Sequence, residues 1–363
     1  MPAKQLSLGI MTRCQGSRFA DKGFYRKLTE YGRKRGFRVF VFSPRTVDFA
    51  ARTVRGFEYR NGIWASGTFP LPDLVYDRCF VGPSYRHYKP FVEKLQKDPK
   101  ITFLGHGLSG KWQVHQMLIQ SPKLAPFLPP TELLSKSSLQ QVLKTFGAAV
   151  IKPMAGTHGI GVARIRPAGG GYEILGRNRE NKPFRRRVKG QAGLNLFLRS
   201  FTSGRKFLVQ PYLHLHTADG VPYDVRVLVQ KNGMGQWETT GMAVRLGNRH
   251  SITSNLHGGG RAVPLSPFLS RHFPPSLQNR IEQQIHTLVS ELPLFLEESH
   301  GRLVELGIDV GIDLDGKVWL IEVNSRPGRT VFRMIDDHQA RLRSITQPIR
   351  YADYLMKARV GGY

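Results

Sequence analysis

Apolar and polar positions alternate most clearly towards the C-terminal end of the chain, in "GIDVGIDLDGKVWLIEV", where two alternating runs flank Asp315-Gly316. Asp-Gly between such runs predicts a two-residue hairpin turn. With Leu314 facing Lys317, the register puts Ile312 beside Trp319, Val310 beside Ile321 and Ile308 beside Val323 on one apolar face. The other face then carries Asp309 opposite Glu322, with Asn324 two residues along. Near the N terminus, "LSLGIMT" and "FRVFVFSP" read as strands around "KGFYRKLTEYGRKRG", whose apolar residues recur at helical spacing. That is a β-α-β opening, followed by a hairpin around Asn61-Gly62. "GKWQVHQMLIQ" opens a helix with Lys111 in its first turn, "SPKLAPFLPPT" is a Pro-rich connection, and "SSLQQVLKTFG" is a helix ended by Gly147. The pattern predicts an α/β (α+β) chain whose first part, to about residue 105, is a small α/β unit.

At 363 residues and 40% apolar composition, the chain has enough material for a substantial core and two or three domains. Two cysteines, Cys14 and Cys79, offer neither a disulfide framework nor a paired metal motif. The start lacks a secretory hydrophobic core, and no apolar run reaches membrane-spanning length, so a cytoplasmic protein is expected. Charge changes the picture more. Fifty-four Lys and Arg against 26 Asp and Glu leave a formal charge of +28, which calls for an anionic partner, substrate or surface. The densest cluster, "GRNRENKPFRRRVKG" at 176–190, holds seven Lys or Arg residues and one acid, Glu180. It reads either as a solvated hairpin or as a clamp on a nucleic acid, an acidic polypeptide or another anionic polymer. Beyond Phe184 no aromatic residue interleaves with it, so a base-stacking platform is not expected.

The polar hairpin face has chemistry of its own. Like charges facing each other across a ladder are destabilising unless a cation lies between them. Mg²⁺ suits two carboxylates and an amide oxygen and keeps positions open for phosphate oxygens. A solvated strand end is the plain alternative, while an EF-hand is excluded by Gly311 at a ligand position. In "AAVIKPMAGTHGIGVARIRP" a short strand ends at Lys152 and glycines follow at 156, 159 and 161, allowing backbone N–H groups to approach phosphate. The run continues as a strand from Val162 to Ile165, so neither a P-loop nor a dinucleotide fingerprint is satisfied. In "YDVRVLV", Asp224 and Arg226 alternate onto one face, where Arg226 can hold phosphate or carboxylate while Asp224 orients a neighbour. Arg245 and Asn255 lie near a glycine run that suits anions, and the histidines at 214, 216, 250 and 257 match no zinc spacing.

Taken in order, Lys111, Lys152 with its Gly-rich hairpin, "LVQPYL", "YDVRVLV", "ITSNLHGGG" and "GIDVGIDLDGKVWLIEVNSRPG" resemble an ATP-grasp ligase over nearly the whole chain. Within that superfamily the chain is similar to the YheC/YheD-type endospore coat-associated family. The resemblance implies an ATP-grasp fold with an N-terminal α/β pre-ATP-grasp domain over 1–105. ATP-grasp subdomains would follow at 106–205 and 206–340, with a helical tail at 341–363. It implies ATP and Mg²⁺ (or Mn²⁺) as cofactors. Lys111 and Lys152 would meet ATP, Gly156, Thr157, His158, Gly159 and Gly161 would close over its phosphates, and Gln210, Pro211, Tyr212 and Leu213 would form the adenine hinge. Asp309, Glu322 and Asn324 match the metal ligands, and Arg226, Arg245, Asn255 and Arg326 would face the γ-phosphate and acceptor. Two positions depart from the pattern: many relatives have Glu where Gln210 stands, and some ligases carry Arg where this chain has Gly307. The implied activity is carboxylate–amine or carboxylate–nucleophile ligation through an acyl phosphate, in endospore coat or cortex formation and in association with the forespore or coat. The substrate and acceptor stay open, with an acidic peptide or anionic polymer among the candidates. The alternatives are a non-catalytic ATP-binding coat protein and a basic nucleic-acid or anionic-polymer binder.

Overall fold

The computed structural model describes residues 5–16, 18–79, 85–154, 156, 159–249 and 260–360. Among the described residues, no helix is long and apolar enough to cross a membrane. Their strands form two six-stranded sheets, one five-stranded sheet and a small two-stranded ribbon.

The first sheet grows from the expected β-α-β unit. β1 (Ser7–Met11) is followed by the ribbon β2 (Cys14–Gln15) and β3 (Arg18–Phe19), then α1 (Lys22–Lys34) and β4 (Arg38–Asp48), which runs parallel to β1. α1 buries Tyr25, Leu28, Thr29 and Gly32 as one stripe. At Gly32 a Cβ would stand 2.5 Å from a Val39 methyl carbon, so only glycine lets helix and strand approach this closely. β5 (Thr53–Arg60) and β6 (Ile63–Pro70) are joined through Asn61-Gly62, both with positive φ as a tight two-residue turn requires. β7 (Leu74–Asp77), α2 (Lys89–Gln96) and β8 (Thr102–Phe103) complete the order β6-β5-β4-β1-β7-β8.

The second sheet is antiparallel. α3 (Lys111–Leu118) starts at Lys111, β9 (Glu132–Leu133) follows, and α4 (Lys136–Phe146) runs from a Ser135 capping box to a left-handed Gly147. β10 (Ala149–Pro153), β11 (Ala163–Ala168), β12 (Gly171–Arg177), β13 (Pro183–Lys189), α5 (Gly190–Thr202) and β14 (Phe207–Pro211) give the order β13-β12-β11-β10-β14-β9. Strand alternation divides its two faces. Ala149, Ile151, Ile165, Ile174 and Val209 pack with the apolar residues of α4 and α5, whereas Val150, Lys152, Arg164 and Gln210 lie on the opposite side.

The third sheet contains β15 (Tyr223–Lys231), β16 (Trp237–Leu246) and β17 (Arg261–Val263). After α6 (Leu265–His272) and α7 (Pro275–His300) come β18 (Glu305–Ile312) and β19 (Val318–Asn324), in the order β17-β16-β15-β18-β19. Ile281, Ile285, Leu288, Leu292 and Leu296 of α7 pack with Val225, Val227, Ile308 and Val310. α8 (Thr330–Met334) and α9 (His338–Val360) close the chain, and α9 packs back on the first sheet through Ile345, Ile349 and Met356.

The β18–β19 hairpin corrects the expected turn. Gly316 has φ 73°, its N–H donates to the Asp313 carbonyl at 3.1 Å, and the Asp313 N–H donates to the Lys317 carbonyl at 3.0 Å. The loop therefore has three residues, 314–316, with glycine in the left-handed position. Pairing shifts by one: Ile312 faces Val318, Gly311 faces Trp319, and Val310 faces Leu320 instead of Ile321. Burial explains the choice, since Val318 and Leu320 enter the core while the Trp319 indole N–H donates to Asp313 at 2.8 Å. A bulge at Ile321 then restores the expected pairs Ile308–Val323 and Asp309–Glu322.

A buried polar joint links the first and third sheets. Glu305, 1% exposed, accepts from Tyr76 Oη at 2.6 Å and Arg78 Nη1 at 2.8 Å. It also accepts from Gln230 Nε2 at 2.9 Å and from Arg329. Removing the charge of a buried pair leaves its partner uncompensated. Glu305→Gln is expected to lower unfolding free energy by about 3–5 kcal/mol in urea titrations, because two guanidinium groups lose their carboxylate.

Candidate functional site

The second and third sheets meet along a cleft. Lys111 and His115 enter it from α3, Lys152 from β10, Leu208 and Gln210 from β14, and Ile321 and Glu322 from β19. Lys111 and Lys152, far apart in sequence, therefore converge on one space. Lys111 Nζ stands 3.3 Å from Glu322 Oε1, joining the lysine side of the cleft to the acidic hairpin. Lys152 is half-buried, and burial followed by the neighbouring Lys111 charge pushes its ammonium down to about 8, against the opposing pull of Glu322. His115 is lowered by burial and by Lys152. Gln210 donates to Thr131 Oγ1 at 2.6 Å, which fixes its carboxamide at the cleft wall.

On the third sheet, pairing places Arg226 opposite Asp309 and Asp309 opposite Glu322, one row across three strands. Arg226 grips Asp309 through Nε at 2.5 Å and Nη2 at 3.0 Å. Arg245 Nη2 lies 3.1 Å from the same carboxylate while its Nε donates to Asp224 at 2.6 Å, so Asp224 does orient a neighbour. Burial favours the neutral acid at Asp309, but Arg226 and then Arg245 outweigh it and hold the carboxyl below its ordinary range. Asn324 stands opposite Gly307. A Cβ at Gly307 would lie 2.7 Å from Pro327 and 3.7 Å from Arg226 Nη1. A side chain is thus excluded there, and the guanidinium of the adjacent strand reaches the same place.

The remaining candidates divide. Arg326 pairs with Asp77 at the end of β7 and lies against Gly107, where a Cβ would stand 2.5 Å from its guanidinium. Pro211 is buried on the covered face of its sheet, the Tyr212 N–H donates to the Ala148 carbonyl at 3.0 Å, and Leu213 is half-buried beyond it. Gly156 and Gly161 lie by the Pro153 ring, and Gly159 and Gly161 have positive φ. Thr157, His158 and Asn255 lie outside the described residues. His115 and Thr131 join the cleft without having been singled out from the sequence; the spacing of His115, one helical turn after Lys111, is the signal that could have found it.

The described residues contain no cluster of three or more His, Cys, Asp or Glu placed to hold a metal. Two carboxylates and an amide nevertheless form a hard oxygen donor set, and both carboxylates have drawn cationic side chains, Arg226 and Arg245 on one and Lys111 on the other. The set fits Mg²⁺.

Sequence and fold comparisons show the family and the fold. N5-carboxyaminoimidazole synthetase from Staphylococcus aureus superposes with a TM-score of 0.53 at 11% identity, covering 95% of this chain and 77% of that one, which shows a shared fold. The fold is that of an ATP-grasp protein. The YheC/D-like ATP-grasp model matches residues 100–355, and the chain belongs to that family. Endospore coat-associated protein YheC of Bacillus subtilis (strain 168) is 29% identical over 359 residues, covering 96% of each chain. Endospore coat-associated protein YheD of the same organism is 30% identical over 352 residues, covering 94% of this chain and 76% of that protein.

The depressed Asp309 carboxyl stabilises the fold above the pKa of an unfolded carboxyl, 3.8, and that stability is lost as pH falls through the lower folded value. Asp309→Asn should therefore be less stable than the parent by a constant amount from neutral pH to about 5, with the gap shrinking below about 4 in urea unfolding across pH.

Proposed function

We propose that the chain is an ATP- and Mg²⁺-dependent carboxylate–amine ligase, or a ligase using another nucleophile, that works through an acyl phosphate. The observation that carries this reading is the row Arg226–Asp309–Glu322, tied through Glu322 to Lys111 beside Lys152. Residues 210–213 would meet adenine, Lys111 and Lys152 would neutralise the triphosphate, and residues 156–161 would cover it. Asp309, Glu322 and Asn324 would hold Mg²⁺ or Mn²⁺, which when bound supplies charge neutralisation at the phosphates.

In the first step a substrate carboxylate oxygen bonds to the γ-phosphorus and ADP leaves. In the second an amine attacks the acyl carbon, phosphate departs, and the amine proton is lost to solvent or base. Arg226, whose guanidinium reaches the space beside Gly307, would stabilise the charge that develops at the acyl centre. Arg245 and Asp224 act as positioning residues, because Asp224 holds the guanidinium that also touches Asp309. Arg326, paired with Asp77, would set the chain leaving β19 against the first sheet and the acceptor side. The names of YheC and YheD associate those proteins with the endospore coat, and we extend this to a role in coat or cortex formation.

Glu322→Ala should weaken Mg²⁺-dependent ATP binding at least tenfold while leaving the circular dichroism spectrum unchanged; undiminished affinity in a calorimetric titration with Mg²⁺ defeats the metal assignment. ATP affinity should also fall as pH rises through about 8, because the protonated Lys152 binds phosphate. Lys152→Arg should remove that decline between about pH 7 and 9, since guanidinium stays charged. A screen for ADP release, with mass detection of the ligated product, tests the reaction itself.

A further inference from the structure

Most of the cations that β13 contributes lie on the same sheet face as the nucleotide cleft. Across the second sheet, Arg185 stands opposite Leu175, Leu175 opposite Arg164, Arg164 opposite Val150, and Val150 opposite Gln210. Directly opposed strand residues share a face. Arg185, Arg187 and Lys189 of β13, and Arg164 and Arg166 of β11, therefore project to the side of Lys152 and Gln210. Arg186 points the other way, along with Phe184 and Val188, which pack against the core under α5.

This face is organised rather than merely charged. Glu173, 3% exposed, sits in the same row as Arg166 and Arg187. It accepts from Arg166 Nε at 3.1 Å, and Arg185 Nη2 lies 3.1 Å from its other oxygen. Those two arginine side chains remain 50% and 62% exposed, so a buried carboxylate aims two guanidinium groups whose other donors face solvent. Arg164 lies over the Tyr212 ring at 5.0 Å, with a buried Nε that has no hydrogen-bond partner among the described residues. An edge strand protected only against unwanted pairing needs charge, but it needs neither a preferred face nor a buried acid to orient its arginines.

We infer that this face is a docking track for an acidic polypeptide, running from the β13 edge across β12 and β11 to Lys152 and delivering one of its carboxylates to the cleft. The inference rests on the ligase reading and specifies its substrate. Strands lie about 4.8 Å apart, so the cation ranks on β11 and β13 are separated by about 10 Å, close to the span of three residues in an extended chain. About four or five extended residues bridge β13 and β10. Carboxylates are favoured over a phosphate backbone because the reacting group is itself a carboxylate. In addition, the ring of Tyr212 on this face is already covered by Arg164.

The test is fluorescence anisotropy of labelled oligoglutamate on the full chain, with MgATP affinity measured in parallel. Arg185→Gln combined with Arg187→Gln should weaken oligoglutamate binding about tenfold or more, the loss of two exposed charge-assisted contacts, and leave MgATP affinity unchanged. Arg186→Gln, on the same strand but the opposite face, should change binding less than about twofold. Equal loss in Arg186→Gln, or an oligonucleotide of matched charge binding as tightly as oligoglutamate, overturns the track. Failure of the parent to bind MgATP would instead strike the ligase reading and leave the face comparison readable.

Discussion

β18 is buried along its whole length, yet it carries two carboxylates on one face, Glu305 and Asp309, 1% and 7% exposed. Withdrawing a carboxylate from water costs several kcal/mol unless donors and cations surround it. Much of the architecture answers that demand. Glu305 draws Tyr76 and Arg78 from the first sheet, Gln230 from the neighbouring strand, and Arg329 from beyond β19. Asp309, two steps further along the same face beyond Gly307, draws Arg226 and Arg245. One strand's desolvation requirement thus fastens two sheets together at one end and assembles the candidate site at the other.

The two walls of the cleft have opposite electrostatic character. The third sheet contributes Asp309, answered by guanidinium groups, and Glu322, answered by Lys111, whereas α3 and β10 contribute two lysines, and burial followed by repulsion from the Lys111 charge lowers the Lys152 pKa. An anion entering between Lys111 and Lys152 relieves that repulsion, so the cleft is electrostatically prepared for phosphate before any ligand arrives. Arginines on rigid strands then keep their positions through side-chain packing and paired carboxylates. Gly307 belongs to the same arrangement, because its missing side chain leaves room for Pro327 and for a guanidinium from the next strand.

Several of these elements were legible in the sequence because their causes are local. Helical spacing revealed α1, Asn-Gly identified the β5–β6 hairpin, and Ser135 with Gly147 marked both ends of α4. α7 was equally readable from the recurrence of Ile281, Ile285, Leu288, Leu292 and Leu296, although it was not among the expected elements. The acidic hairpin was read correctly in its Asp309–Glu322 pairing and incorrectly at its turn. Asp-Gly occupies a three-residue loop, and the bulge at Ile321 cancels the resulting shift before the chain reaches Glu322. Local preference permits either loop length; burial of Val318 and Leu320 selects one.

The sequence by itself determined that Asp309, Glu322 and Asn324 would share a face, since strand alternation and a hairpin connection act over a few residues. It also placed Lys152 at a strand end before a glycine-rich turn, and Asp224 and Arg226 on one side of their strand. Only the tertiary structure decided what each of these charges meets. Arg326 is engaged by Asp77, and Arg78 reaches Glu305, across sequence separations of 249 and 227 residues. Arg185 and Arg187 lie on the cleft side of their sheet because α5 covers the other side. No local pattern encodes such partners, because the free energy that selects them is the cost of burying charge, which exists only once the sheets have come together.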